Sequence, residues 1–297
     1  MTTDTLTPLI KWPGGKRREL PEILPRVPDY VQEKRPYRYV EPFLGGGAVF
    51  WALRNPNSVV GDLDEDLILF YRAVAAQDPD MFRLLKPVEQ AYASGDREAQ
   101  AAEYYRIRAM DKNGGLSKLT PGERAGRFFV LNQLAYGGLR RFNDAGEFNV
   151  PFGKYKNFRT DRLRSAAHVE MLRSADLRLG SYEHLLREFD QPQTFIFIDP
   201  PYTRSYTEYS KGEAFGPQEQ EELAEALLGL KHAQFMIVIN KDELTTRLYG
   251  ANIIHEYRVR YSVNIRNRFD GAEKHIMATN YQPTAQQQPV QQQLLAV

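Results

Sequence analysis

The sequence contains no cysteine in 297 residues. A disulfide framework, a thiolate zinc site, an iron–sulfur cluster and a cysteine nucleophile are therefore excluded. Long apolar runs are missing too, since none approaches the roughly 20 residues that a membrane-spanning helix needs. The opening MTTDTLTPLIKW lacks a basic region followed by a long apolar stretch, so no signal peptide is expected. A cytoplasmic chain with no membrane partner is the expectation. Net charge is nearly absent as well: 39 Lys and Arg face 38 Asp and Glu, for +1. Taken alone, that balance argues against a nucleic-acid partner. What is present, 42% hydrophobic and 26% charged residues, suits one large or two ordinary globular domains.

Short apolar runs bounded by turn or helix signals predict strands at Tyr37–Glu41, Ser58–Asp62, Asp176–Leu179, Thr194–Asp199 and Gln234–Asn240. Their continuous apolar character predicts buried parallel strands. Ile253–Tyr261 and Lys274–Tyr281 follow as a candidate antiparallel pair closing the sheet. Helical patterns at Ala48–Arg54, Asp66–Ala76 and Pro217–Leu230 alternate with these strands, which predicts a doubly wound α/β sheet. Residues 77–175 break the rhythm. Helices at Asp96–Met110 and Pro121–Leu134 and a long polar loop over Ala135–Phe158 predict a helical insertion there. From Gln282 the tail is Gln-rich, of low complexity and expected to be disordered.

Three motifs carry chemistry. Glu41-Pro-Phe-Leu-Gly-Gly-Gly-Ala-Val-Phe50 follows a strand and opens a helix, so backbone there can approach a ligand closely. Gly45 and Gly47 match the first two positions of a dinucleotide fingerprint, but Phe50 stands at the third. With Asp62 after the next strand to hold ribose hydroxyls, the loop suits a nucleoside without a pyrophosphate. An ordinary tight turn remains the plain alternative. Lys11-Trp12-Pro13-Gly14-Gly15-Lys16 is not a phosphate-binding loop of the Walker type, because Ile10 occupies the required earlier glycine. Trp12 and Lys16 could instead meet an aromatic or anionic ligand. Asp199-Pro200-Pro201-Tyr202 closes an apolar strand. In open α/β sheets ligands bind beyond the carboxyl ends of strands. The proline pair removes two N–H donors, leaving the Asp199 carboxylate and the Pro200 carbonyl as acceptors for an amine, and Tyr202 offers a stacking face.

In their order, these motifs resemble the Dam-type (D12 class) DNA adenine-N6 methyltransferases. That family runs from a KW-x-GGK start through an EPF-x-G-x-G loop and a target-recognition insert to DPPY. Leu131-Asn132-Gln133, Tyr136 to Asn143 and Gly146 to Gly153 (GEFNVPFG) are similar to elements of its insert. The resemblance covers about residues 8–281. It implies a Rossmann-like class I S-adenosylmethionine-dependent methyltransferase sheet, with a catalytic domain at 1–76 plus 176–281, a DNA-binding insert at 77–175 and a disordered tail at 282–297. It implies S-adenosylmethionine as cofactor and no metal. Trp12, Lys16, Asp62 and Asp199 match cofactor contacts, with Phe43, Gly45 and Gly47 beside the methionine part. The target adenine would be flipped from the duplex. Tyr202 would then stack on it while Asp199 and the Pro200 carbonyl accept its two N6–H groups. The absent cysteine fits, because methylation at cytosine C5 uses a cysteine nucleophile and amino-group methylation does not.

By the same pattern Lys11, Tyr136, Leu139, Arg141 and Asn143 fall at DNA-contacting positions. Gly137 stands where the family has Asn, and Arg140 is an added base at the loop tip, so a GATC target is not carried over. The insert holds 17 Lys and Arg against 12 Asp and Glu, an excess of five positive charges that the neutral total conceals. Arg with Asn at a loop tip suits readout of guanine and adenine edges. Arg258, Arg260, Arg266 and Arg268 make a second basic set, a candidate phosphate grip. The expected partner is double-stranded DNA, with a cognate restriction endonuclease as a candidate second partner and a monomer as the working form. Cytosine-N4 or RNA adenine methylation, and a non-catalytic DNA-binding protein on this scaffold, remain alternatives. A nicotinamide dehydrogenase is disfavoured by Phe50 and the DPPY turn.

Overall fold

A computed structural model describes residues 6–201, 215–259 and 273–284. Tyr202, Arg260, Arg266, Arg268 and residues 285–297 of the tail lie outside the described residues. All seven expected strands are present as β1 (Arg38–Glu41), β2 (Ser58–Asp62), β3 (Asp176–Leu179), β4 (Thr194–Ile198), β5 (Gln234–Asn240), β6 (Ile253–Val259) and β7 (Glu273–Thr279). They form one sheet in the order β3-β2-β1-β4-β5-β7-β6. The first five run parallel. β7 enters antiparallel between β5 and β6, so the expected antiparallel closure holds with β6 at the edge. The helical connections and this order make a doubly wound, Rossmann-like α/β fold.

Successive strand residues face opposite sides of the sheet, and two apolar clusters divide accordingly. Tyr39, Phe195, Phe197, Met236 and Val238 join the cluster on one side. Val40, Ile196, Ile198, Phe235, Ile237 and Ile239 join the other. β3 departs from the expectation of full burial: as the far edge strand it buries only Leu177, and its remaining residues are half-buried or exposed.

The helices are α1 (Leu20–Ile23), α2 (Asp29–Gln32), α3 (Ala48–Leu53), α4 (Glu65–Ala76), α5 (Pro79–Ser94), α6 (Arg97–Arg108), α7 (Pro121–Leu134), α8 (Ala166–Ser174), α9 (Tyr182–Glu188), α10 (Pro217–Leu228) and α11 (Glu243–Tyr249). Local chemistry sets their starts. Asp64, Asp78 and Asp96 each accept backbone N–H groups at the N-termini of α4, α5 and α6. Thr120 and Glu123 form a capping box before α7, whose first residue is Pro121. α5 lies in the insert where no helix was expected. Pro87 within it disguises a helix whose Asp78 cap and Gly95 terminus are otherwise regular.

The insert does not carry a core of its own. Phe70 of α4 stacks on Phe129 of α7 with ring centroids 5.5 Å apart. One apolar cluster runs from Val60 and Phe195 of the sheet through these rings to Val150 and Phe152. The long polar loop closes on itself by two isolated bridges, Ala135 with Phe152 and Phe142 with Phe148. Beneath it Arg127 and Asp111 form an ion pair at 2.5 Å, with side chains 5% and 3% exposed. Asp111 also accepts the Phe148 N–H at 2.6 Å, so the loop rests on this buried pair.

Removing one partner of a buried pair leaves an uncompensated charge, so Asp111→Ala should cost about 3–5 kcal/mol in urea unfolding. An exposed-pair value below about 1 kcal/mol would show that the loop does not depend on it.

Candidate active site

The chain reverses its winding between β1 and β4, the place where an open α/β sheet forms a crevice at its carboxyl edge. Three expected site segments meet there: the glycine loop after β1, Asp62 ending β2 and Asp199 following β4. Because β1 pairs with both β2 and β4, the three lie side by side.

The loop is held from both sides. Asp62 accepts the Gly45 N–H at 2.9 Å, and the Tyr71 hydroxyl donates to the Gly45 carbonyl at 3.0 Å. Gly45 has φ +46°, and a Cβ there would stand 2.5 Å from the Trp12 indole nitrogen. Gly47 has φ +66° and precedes α3. Glycine is therefore required twice, for backbone conformation and for the close approach of Trp12. The Phe43 ring of the same loop stacks on Tyr182 with centroids 5.3 Å apart.

Lys16, only 2% exposed, is the cation of the site. Its Nζ lies 2.6 Å from Asp199 Oδ1 and donates to the Gly14 carbonyl at 2.9 Å. Burial raises the Asp199 carboxyl above its usual range, with Lys16 opposing the shift. Asp62 is pushed up to about 6 by burial, opposed by the Gly45 N–H and by the Arg140 charge. Pro200 is buried and Pro201 exposed. The Pro201 carbonyl accepts from Gln220 Nε2 of α10 at 2.9 Å, so a wholly buried amide pins the turn. Gln220 gave no signal in sequence, nor did Glu41, the first residue of the glycine motif. Glu41 is buried between the Tyr39 hydroxyl at 2.8 Å and the Phe50 N–H at 3.2 Å, and burial pushes its carboxyl up to about 8.

The DNA-contact candidates gather on a second surface that reaches the first at two points. Lys11 exchanges main-chain hydrogen bonds with the Asn132 side chain at 3.0 and 2.7 Å. Its ammonium donates to the Gln133 carbonyl at 2.9 Å and lies 4.1 Å from the Tyr155 ring centroid. Tyr136 and Leu139 are large side chains left 59% and 45% exposed. Arg141 donates to Asn149 at 2.8 Å, and Asn143 donates to Glu147 at 3.1 Å, both at the exposed end of the loop. Arg140, expected at the tip, is turned inward. It pairs with Asp64 and lies over the Phe128 and Phe142 rings. Asp64 donates its own N–H to Asp62 at 3.0 Å, so Arg140 ties the loop to the β2 end of the crevice.

Residues 12–263 match the family described as D12 class N6 adenine-specific DNA methyltransferase. The chain is 33% identical over 229 residues to Type II methyltransferase M.MjaIII of Methanocaldococcus jannaschii, covering 73% of this chain and 78% of the relative. It is 29% identical over 286 residues to Type II methyltransferase M1.LlaDCHI of Lactococcus lactis, covering 93% and 96%. A DNA adenine methylase of Haemophilus influenzae is 30% identical over 267 residues, covering 86% and 87%.

The raised Glu41 carboxyl has a consequence for stability. A group that binds its proton more tightly when folded makes stability fall as pH rises from its unfolded value, about 4.5, to its folded one, about 8. Glu41→Gln removes that proton. Its stability relative to wild type should therefore rise between about pH 5 and about pH 8 in urea unfolding. A pH-independent difference would assign the slope to other groups.

Proposed function

The chain belongs to the D12 class of N6 adenine-specific DNA methyltransferases, and from that premise we propose that it methylates N6 of an adenine flipped out of double-stranded DNA at a specific site, with S-adenosylmethionine as donor. The family makes the chain an adenine-specific DNA methyltransferase using a donor of the S-adenosylmethionine type. The observation that carries the finer reading is the convergence of Asp199, held by Lys16 at 2.6 Å, with the glycine loop and Asp62 on one sheet edge.

The residues present fit that donor. Gly45 lets the Trp12 indole lie against the loop backbone, Asp62 offers a carboxylate for ribose hydroxyls, Trp12 an aromatic plane and Lys16 a cation. When bound, S-adenosylmethionine supplies an electrophilic methyl group on a sulfonium. Asp199 and the Pro200 carbonyl accept the two N6–H groups of the target base, orienting its lone pair for in-line attack. The raised Asp199 carboxyl is a stronger acceptor for this role. Positioning supplies the rate, with effective molarities of about 10⁵ M or more available to well-oriented groups. Tyr202 stacks on the extruded base. An aspartate at this position, where cytosine-N4 enzymes usually carry serine, favours adenine.

We assign target recognition to residues 77–175, with Lys11, Tyr136, Leu139, Arg141 and Asn143 toward DNA and Arg140 anchoring the loop from behind. The chain works on DNA as a monomer, alone or beside a cognate restriction endonuclease.

Incubation with labelled donor and unmodified duplex DNA, followed by nucleoside digestion, should place the label in N6-methyladenine. Asp199→Ala should lose about ten- to a hundredfold in rate, the scale of one lost hydrogen bond to a charged acceptor, while retaining DNA binding to within about tenfold. Label in N4-methylcytosine, or an active Asp199→Ala variant, would overturn this assignment.

A further inference from the structure

Behind Lys16 stands a second buried carboxylate that the reaction as described does not use. Glu19, 5% exposed, approaches Lys16 Nζ at 3.9 Å with Oε1. Its other oxygen accepts from the Tyr257 hydroxyl at 2.5 Å and from His275 Nδ1 at 2.7 Å. Tyr257 and His275 face each other across β6 and β7, the antiparallel end of the sheet. His275 is fully buried, and Tyr257 stacks on His255, which itself pairs with Glu22 at 2.9 Å. The groups thus form a chain: β6 and β7, then Glu19, then Lys16, then Asp199.

A buried carboxylate is costly unless it is paired and hydrogen-bonded. Burial alone would raise the Glu19 carboxyl, and His275, Lys16 and Tyr257 outweigh it, so it is held below its ordinary value. Glu19 is therefore an anion, and it and Asp199 both approach the Lys16 ammonium, at 3.9 and 2.6 Å. With Glu19 charged, Lys16 is shared between two carboxylates and Asp199 keeps capacity to accept from another donor. Without it, the ammonium belongs to Asp199 alone, and the strength of any further hydrogen bond to Asp199 drops.

We propose that Glu19, fixed by Tyr257 and His275, is a positioning residue that divides the Lys16 charge and so keeps Asp199 able to hold the amine of the target base. The inference rests on the reading of Asp199 as amine acceptor. It makes the far, antiparallel end of the sheet part of the machinery for amine binding rather than only its closure.

The test uses the full-length protein and its mapped methylation site. Affinity is compared for duplexes carrying adenine or purine there, since purine lacks the 6-amino group and the ratio reads the amine contact without methyl transfer. Wild type should favour adenine by about tenfold, the scale of a hydrogen bond to a charged acceptor. Tyr257→Phe and Glu19→Gln should shrink that preference to about twofold and lower kcat about tenfold, with the KM for the donor within about twofold. His275→Leu should do the same, and His275→Asn, whose amide can replace Nδ1, should restore most of the loss. A lowered unfolding temperature with the preference and kcat intact would reduce Glu19 to a structural tie and overturn the proposal. So would equal loss in the two His275 variants. Tyr257→Phe keeps the ring packing and so tests the proposal even where a Glu19 variant fails to fold. If Asp199→Ala itself kept full activity, the reading of Asp199 would fail instead.

Discussion

The contact between the Lys16 ammonium and the Asp199 carboxylate, 2.6 Å apart, is the constraint on which the site depends. Lys16 is almost wholly buried, and a buried ammonium without a counter-ion is strongly disfavoured. The N-terminal segment must therefore lie on the carboxyl edge of β4, far away in sequence. Once it does, Trp12 is laid over Gly45, Lys11 is brought to Asn132 at the end of α7, and Glu19 meets Tyr257 and His275. One ion pair thus sets the walls of the crevice and links it to α7 and to the antiparallel end of the sheet. Because burial penalises both charges, the pair is better understood as geometric specification than as a large net gain in stability.

Charge in the insert is distributed unevenly. Several of its arginines are engaged by acids of the fold: Arg127 by Asp111, Arg124 by Glu65 and Asp66, Arg140 by Asp64 and, at the surface, Arg164 by Glu89. Three of these five acids, Glu65, Asp66 and Asp64, lie on α4 or its cap, so opposite charge bolts the insert to the catalytic sheet. Lys11, Lys156, Arg159 and Arg162 instead line a common pocket of about 270 Å³ with no carboxylate in its wall. The positive face proposed to meet DNA is thus smaller than the composition implies, and it sits beside the N-terminal segment as well as at the loop tip.

Much of the architecture was legible in the residues. Short apolar runs ended by turn formers located all seven strands, most directly β1, β2, β4 and β5, whose burial on both faces leaves few other ways to write them. α7 was legible to the residue, since Thr120, Pro121 and Glu123 form an explicit start signal. α5 was not, because Pro87 inside a helix reads locally as a break while tertiary packing of Leu84, Leu85 and Val88 carries the helix past it. Glu19, Glu41 and Gln220 escaped notice because a carboxylate or amide acquires meaning from what surrounds it, and their partners come from β7, α3 and the turn after β4.

By itself the sequence determined the class of fold, the order of the chemical motifs and the exclusion of cysteine chemistry, since these depend on residue type and near-neighbour spacing. Only the tertiary structure decided which charges face one another. It gave Arg140 a carboxylate partner in Asp64, and it joined Lys16 to Asp199 and Glu19 to the antiparallel edge. Electrostatic partnership depends on separation in space and on burial, and neither is written in the spacing of residues along a chain.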